Sequence, residues 1–181
     1  MVREAQLEQT PAGLVPKGEG WFVVNAKEAR WMEHEAFGSG TTFEGEPHFK
    51  EIGVNIGVLA PGQPACMYHR ENQQEDFLVL FGECRVLVEG EERLLRQWDF
   101  FHSPAGTEHI FIGAGDGPCV ILMAGARLEE EQLHYPVSEL AARYGASVEE
   151  ETTDFEQVFV RFERSRRERP SYWDKLPWAS Q

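Results

Sequence analysis

The central part of the chain consists of short apolar runs separated by turns that contain glycine or proline. Ile or Val stands at every second position from Ile52 to Val58, which predicts a strand with one buried face that ends at a Pro-Gly turn. More runs follow at the roughly 8–12-residue spacing typical of β-sandwiches and barrels. The predicted strands are CMYH (66–69), EDFLVLFGE (75–83), CRVLVEG (84–90), ERLLRQWDFFHSP (92–104), EHIFIGAG (108–115) and PCVILMAGA (118–126). This pattern predicts an all-β fold, because a parallel α/β sheet needs helices between its strands.

The chain before these strands has weaker patterns. Residues 1–20 are rich in Gly, Pro, Glu and Gln and predict an N-terminal arm without a core of its own. The run WFVVNA (21–26) has the composition of a strand, whereas residues 27–40 consist of turn formers. We therefore expect the β-barrel to occupy residues 21–127.

The chain after residue 127 changes to helical patterns. Ser138 precedes the run ELAARYG and serves as its N-cap, and the residues from Phe155 to Phe162 place their apolar side chains on one helical face. Two short helices are therefore predicted within a C-terminal segment and arm, residues 128–181. The last part of the arm carries Tyr172, Trp173 and Trp178, which are too apolar to remain solvated, so we expect it to pack on the barrel or on a partner subunit.

Charge and cysteine content exclude several classes of function. The net charge of −14 argues against a nucleic-acid partner, because phosphates would be repelled. The chain has no apolar run of about 18 residues and does not begin with a signal-peptide pattern, so we expect a soluble, cytoplasmic protein that does not enter a membrane. Three cysteines without CxxC spacing indicate reduced thiols, not a disulfide framework or a cysteine-based zinc site.

Two stretches of the chain carry the candidate chemistry: PGQPACMYHRENQQEDFLVLFG and WDFFHSPAGTEHIFIG. Together they resemble the paired motifs of the cupin superfamily. Glu75 is followed by six residues and Gly82, as in the first motif, and Pro104, Gly106 and His109 match the second motif. The resemblance covers roughly residues 50–127. It implies a cupin-type double-stranded β-helix, or jelly-roll barrel, here with short C-terminal helices and an arm.

The first motif departs from the family pattern at its histidines. The family pair His-x-His is present only as His69, and five residues separate it from Glu75. Glu71 stands where the second histidine would be. In the second motif, Trp98 replaces the usual opening glycine and Gly113 the closing asparagine.

The resemblance implies a divalent metal site formed by His69, Glu75 and His109. Two imidazoles and a carboxylate suit Fe, Mn, Zn, Ni or Co, and three protein ligands leave positions open for substrate. Side chains two apart on a strand share a face, which places four apolar side chains beside the ligands. The predicted pocket residues are Met67, Phe77, Val79 and Phe111.

Several assignments stay open at this stage. Glu71, Gln74 and Met67 are the alternatives for a fourth ligand. Glu71 and His102 are candidates for acid–base catalysis, although His102 also fits a structural or rim position, and His34, His48 and His134 are expected at the surface. A metal-free pocket is the competing interpretation, with hydrogen-bonded histidines and Glu75 paired with an arginine such as Arg70.

The function expected from these features is that of a metal-dependent, dioxygenase-like enzyme acting on a small organic substrate. The alternatives are a non-catalytic small-molecule-binding cupin and a metal-dependent isomerase, since this fold hosts many activities. The apolar pocket favours a carbon-rich substrate. We also expect a homodimer in which a second subunit covers the outer positions of Leu78 and Leu80, and we expect Trp98, Phe100 and Phe101 in the sheet core.

Overall fold

The computed structural model describes residues 1–179 and folds them into short strands with little helix. The strands are β1 Gln6–Thr10, β2 Gly13–Lys17, β3 Met32–His34, β4 Gly38–Thr41, β5 Ile52–Leu59, β6 Arg70–Glu71, β7 Glu75–Phe81, β8 Glu83–Val88, β9 Glu91–Arg96, β10 Phe100–Ser103, β11 His109–Ala114, β12 Cys119–Ala126 and β13 Leu133–His134. The helices are α1 Glu139–Ala142 and α2 Phe155–Phe159, and a 3-10 turn spans Trp173–Lys175.

Two antiparallel sheets form the body of the molecule. The larger has six strands in the order β10-β7-β12-β5-β4-β3, and the smaller has three in the order β11-β8-β9. Two further two-stranded sheets pair β1 with β2 and β6 with β13. The two main sheets are not joined by a continuous hydrogen-bonded ladder. They pack face to face as a double-stranded β-helix, which confirms the predicted all-β jelly-roll class.

Apolar side chains from both sheets fill the space between them. Phe77 and Val79 lie two apart on β7, so both point inward, where they meet Val86 of β8 and Phe111 of β11 in one buried cluster. Burying a side chain of this size contributes about 1.5–3 kcal/mol. This apolar core fixes the separation of the sheets and therefore the position of everything attached to their inner faces.

The C-terminal arm covers the outer face of the larger sheet. Trp31 is fully buried there, with its ring centroid 5.4 Å from that of Trp173 and 5.6 Å from that of Trp178. Leu80 packs in the same cluster. The arm therefore packs on its own barrel, and it covers Leu80 without a second subunit. The homodimer stays a prediction.

The outer face of the smaller sheet is covered by helix α1. Ser138 caps this helix, as predicted, by accepting a hydrogen bond from the backbone amide of Ala141. Ala141 packs with Leu87 and Ile110 in a buried cluster. Tyr68 joins the same cluster, away from the inner face of the sheet.

Several predictions for the N-terminal part are wrong. The run 21–26, predicted as a strand, forms none, and its Trp21 and Val23 are 52% and 79% exposed. The predicted arm, residues 1–20, contains a hairpin of β1 and β2. Residues 27–40, predicted as turns, contribute β3 and the start of β4. These short, glycine-containing strands depend on pairing with β5, and that long-range contact leaves no local pattern.

Two predicted strands differ in the structure. Residues 66–68 form bends instead of a strand, and the run 92–104 is divided into β9 and β10 by a turn in which Trp98 has a φ of 76°. Trp98 and Phe100 are 68% and 62% exposed, so neither is part of the sheet core, whereas Phe101 packs against the inter-sheet cluster. Within residues 1–179, no helix has the length and apolar character needed to span a membrane.

Candidate metal centre

Two buried histidines are brought together by backbone hydrogen bonds between His69 and His109. The amide of each residue donates to the carbonyl of the other, at 3.3 Å and 2.8 Å. Directly opposed residues of an antiparallel pair carry their side chains on the same face. The two imidazole rings therefore lie side by side, with centroids 5.1 Å apart.

Each ring is held in one orientation by its Nδ1 atom. Nδ1 of His69 lies 2.8 Å from the carbonyl oxygen of Met67, and Nδ1 of His109 lies 3.1 Å from that of Thr107. A carbonyl only accepts, so both Nδ1 atoms carry a proton. In a neutral ring the lone pair is then on Nε2, which is the arrangement of histidines that bind metals.

Glu75 completes a group of three potential ligands. It is the first residue of β7 and lies on the inner face with Phe77, and a carboxylate oxygen lies 3.3 Å from Nε2 of His109. One donor atom from each of His69, Glu75 and His109 lies within 4.8 Å of the other two. The side chains are largely buried, with 11%, 18% and 2% exposed. The structure thus brings together the three predicted ligands.

Glu71 lies at the edge of this triad. One of its carboxylate oxygens is 3.6 Å from Nε2 of His69, and the other accepts a hydrogen bond of 3.1 Å from Nε2 of Gln73. Its backbone carbonyl accepts from the amide of Gly106, which has a φ of 85° in the turn before β11. A positive φ favours glycine, so this turn holds Glu71 beside the second motif. Glu71 is therefore placed to act as a fourth ligand or a proton carrier.

The four groups influence one another electrostatically. Burial and the neighbouring His69 cation lower the pKa of His109 to about 4, and burial together with the Glu71 carboxylate raises the pKa of Glu75 to about 7. Burial opposes a charge on His69, yet Cys66, Glu71 and Glu75 hold its pKa well above the ordinary value. Burial would also raise the pKa of Glu71, but its hydrogen bonds and the His69 cation keep it low. In the absence of metal, these neighbours therefore favour the charged form of His69.

The triad opens into a cavity of about 1040 Å³ between the sheets. The inner wall includes Phe77, Phe111 and Met123, and the outer wall comes from the C-terminal segment, with Phe159 and Phe162. Phe37 joins the two walls, with its ring centroid 4.6 Å from that of Phe162. Aromatic and aliphatic groups therefore form much of the surface that a ligand would contact.

Two of the four predicted pocket residues lie elsewhere. Phe77 and Phe111 line the cavity, but Val79 is buried in the inter-sheet cluster, and Met67 packs with Tyr135 and Val158 in a separate cluster. The alternation assumed for Met67 does not apply, because residues 66–68 form bends and not a strand. Met67 therefore packs away from the cavity wall, where a fourth ligand would be expected.

Three other predicted roles are corrected by the contacts observed. Gln74 is exposed and donates to Asp76, and Nδ1 of His102 lies 2.7 Å from a carboxylate oxygen of the same Asp76. Asp76 follows Glu75 on β7 and therefore faces outward, so neither residue reaches the triad. Arg70 pairs with Glu108 at 2.7 Å, which leaves His109 as the partner of Glu75.

The histidines predicted at the surface and the three cysteines occupy different environments. His48 and His134 pair with the acidic residues Glu44 and Glu151, but His34 lies on the cavity wall and packs against Phe37. All three cysteines are free. Cys84 and Cys119 are buried, whereas Cys66 lies on the cavity wall with its sulfur 3.4 Å from Nδ1 of His69.

The sequence did not identify two residues that support the site. Gln73 is buried beneath Glu71 and accepts a hydrogen bond from the amide of Leu128, so it links the first motif to the end of β12. Phe162 lies far along the chain from the metal motifs. Its helical periodicity with Phe159 indicated a buried face, but no pattern indicated that this face would lie over the cavity.

Several solved structures are similar to this chain in fold. A sugar phosphate isomerase of a cupin superfamily from Silicibacter pomeroyi is 24% identical over 60% of this chain, with a TM-score of 0.49. The chain spans 66% of that protein's length, just under two thirds. The polyketide cyclase RemF from Streptomyces resistomycificus is 13% identical, with 61% of this chain and 83% of that chain covered and a TM-score of 0.53. A predicted oxalate decarboxylase from Thermotoga maritima is 18% identical, with 59% of this chain and 100% of that chain covered and a TM-score of 0.52.

The comparison with a family model agrees with the fold. No curated protein matches the chain. Residues 55–125 match the model described as Cupin domain, and this segment contains His69, Glu75 and His109. The double-stranded β-helix and the motif spacing agree with this match, so the segment 55–125 is similar to a cupin domain in sequence and the chain is similar to cupins in fold.

Proposed function

We propose that this protein is a metal-dependent enzyme, of dioxygenase-like type, that acts on a small carbon-rich molecule bound in the cavity. The observation that carries the proposal is the triad of His69, Glu75 and His109, whose donor atoms lie within 4.8 Å of one another. Both histidines are oriented through Nδ1, as metal ligands are, before any ion is bound.

The residues present fit a divalent transition metal. Two imidazole nitrogens and one carboxylate oxygen form a donor set that Fe, Mn, Ni, Co and Zn accept, and such a set with open positions is characteristic of non-heme Fe(II) oxygenases. When bound, the ion would polarise a substrate oxygen or activate dioxygen. The low pKa of His109 keeps that ring neutral and available as a ligand at physiological pH.

The chain's own groups would perform the remaining tasks. Glu71, held by Gln73, is placed to accept a proton near His69. Phe77 and Phe111 would exclude water from the inner end of the cavity, and the aromatic outer wall favours a substrate with an apolar face. A metal-dependent isomerase is a second candidate, because a carboxylate at the position of Glu71 also suits proton transfer between two substrate carbons.

The neighbouring structures do not choose between these reactions. Their names describe an isomerase, a cyclase and a predicted decarboxylase, and the proteins are at most 24% identical to this chain. One fold hosts many activities, so the choice has to come from the site itself.

The proposal is tested by metal analysis and by turnover. Protein purified without added metal is expected to contain about one divalent ion per chain, and His69→Ala and His109→Ala are expected to lose it. His102→Ala is the matched control, because His102 faces the opposite side of β7. Dioxygen consumption with a panel of phenols and catechols is then measured with Fe(II), Mn(II) or Ni(II) and after chelation.

The outcomes separate the candidates. Metal-dependent dioxygen uptake supports the proposal, and isomerisation without dioxygen uptake supports the second candidate. Retention of metal by both triad variants, or equal turnover after chelation, would overturn the proposal. A tightly bound ligand that copurifies unchanged, without turnover for any metal, would instead indicate a binding protein.

A further inference from the structure

A polar side chain on the cavity wall is left without a partner. Asn55 lies on β5 and contributes to the lining of the cavity, and its Oδ1 atom is buried yet accepts no hydrogen bond from the residues that the structure describes. A buried carbonyl without a donor costs about 1–3 kcal/mol. Because buried polar groups are nearly always paired, a buried oxygen without a hydrogen-bond donor needs an explanation.

The neighbours of Asn55 on the side of β12 and β7 are apolar. Its register partner on β12 is Met123, and the partner of Met123 on β7 is Phe77, so the three side chains share the inner face of the larger sheet. Two residues along β5 is Gly57, where an added Cβ would lie 2.6 Å from Cε of Met123. The glycine therefore leaves room for Met123 beside Asn55.

Asn55 lies within reach of a ligand held by the triad. Phe77 is two residues from Glu75 on β7, and its ring centroid is 5.3 Å from that of His109. The backbone of β5 is two inter-strand spacings from β7, roughly 10 Å. A substituted six-membered ring that bound at the triad would span this distance and present its far substituent to Asn55.

We infer that Asn55 determines substrate specificity by accepting a hydrogen bond from a hydroxyl group on a six-membered carbon ring. The inference rests on the proposed function, since it takes the cavity as the substrate site. It adds the class of substrate: a hydroxylated ring whose apolar face contacts Met123 and Phe77. A fully apolar ring would leave the Asn55 carbonyl unpaired and bind less tightly.

The experiment compares three probes of similar size: phenol, anisole and toluene. Their binding is measured by ligand-observed NMR in the metal-loaded protein and in the chelated protein. Phenol can donate to Asn55, whereas anisole and toluene cannot. We expect phenol to bind about 5- to 10-fold more tightly than toluene or anisole, the factor that one net hydrogen bond supplies.

Three variants make the test specific. Asn55→Leu keeps the size of the side chain and is expected to remove the preference for phenol, whereas Asn55→Asp keeps an acceptor and is expected to retain it. Asn25→Leu applies the same change at an exposed position outside the cavity and is expected to keep the preference. A change in thermal stability shared by both leucine variants would show an effect on folding. The ratio of the probe affinities instead measures how well the protein recognises the hydroxyl group.

Failure of this inference is distinguishable from failure of the proposed function. Equal binding of the three probes, no binding of any at millimolar concentration, or a phenol preference that persists in Asn55→Leu would overturn the role of Asn55, even if the protein holds its metal. Loss of the preference in Asn55→Leu in a protein that binds no metal would support the inference and contradict the proposed function.

Discussion

Nε2 of His109 lies 3.3 Å from a carboxylate oxygen of Glu75, although β11 and β7 belong to different sheets. Elsewhere the two sheets are held together largely by apolar packing. A metal ion bound by both residues would add direct bonds between the sheets. Metal binding and folding should therefore be coupled in this protein.

The first prediction concerns that coupling. Saturating the protein with a bound metal at roughly 100 times its Kd should raise the free energy of unfolding by about 2.7 kcal/mol, because only the folded state assembles the three ligands. In Glu75→Gln this increment should largely disappear, while His102→Ala should retain it. Denaturant unfolding with and without metal measures both values. An equal increment in Glu75→Gln would contradict the assignment of Glu75 as a ligand.

The affinity for metal should rise with pH. A ligand binds in its deprotonated form, and the pKa of Glu75 is raised to about 7, so Glu75 is mostly protonated below that pH and mostly ionised above it. The ionisation of Glu75 alone should make metal binding about tenfold weaker at about pH 6 than at about pH 8. The raised pKa of His69 acts in the same direction, whereas His109 is already neutral in this range. Calorimetric titration in two buffers of different ionisation enthalpy would detect the released protons, and an affinity independent of pH would refute the prediction.

Replacing Glu71 by histidine should strengthen the site. Glu71 occupies the position of the missing second histidine, and its carboxylate reaches to 3.6 Å from Nε2 of His69. An added imidazole should raise the affinity for Ni(II) or Zn(II) by about tenfold or more, since both metals favour nitrogen ligands. Glu71→Ala is the companion variant and should still bind metal through the triad. Complete loss of metal in Glu71→Ala would mean that Glu71 is an essential ligand.

The C-terminal arm should contribute measurably to stability. Trp173 packs edge to face on the buried Trp31, so Trp173→Ala should lower the free energy of unfolding by at least about 2 kcal/mol. Trp98→Ala is the matched control. Trp98 is exposed, and its loss should change stability by no more than about 0.5 kcal/mol. Chemical denaturation followed by circular dichroism compares the two, and similar losses would show that the arm is only loosely attached.

The sequence predicted most of the central strands and the three candidate metal ligands that the structure brings together. Alternation located β5, apolar runs between turns located β7, β8, β11 and β12, and the resemblance to the cupin motifs selected His69, Glu75 and His109. His69 points inward, as predicted, but not because it belongs to a strand. Its orientation comes from a single bridge to His109, because no strand precedes it. A bridge between residues forty positions apart has no local signature.

The remaining errors have a common physical origin. Strands β3 and β4 are short and stabilised by pairing with β5, so their own composition predicted turns. Trp98 and Phe100 were assigned to the core because they are aromatic, but exposure depends on where a sheet ends, and β10 is its edge strand. Asn55 lies at a position where alternation predicts only that it faces inward. Whether it finds a partner there depends on the shape of the whole cavity.

The three candidate metal ligands and the outer wall of the cavity belong to separate stretches of the chain. Positions 69–109 supply the ligands, and the segment containing α2 and Phe162 closes the opposite side. Substitutions in that segment can therefore reshape the wall of the cavity without changing any of the three candidate ligands. Homologous barrels with the same ligands and different tails would then be natural experiments in substrate selection.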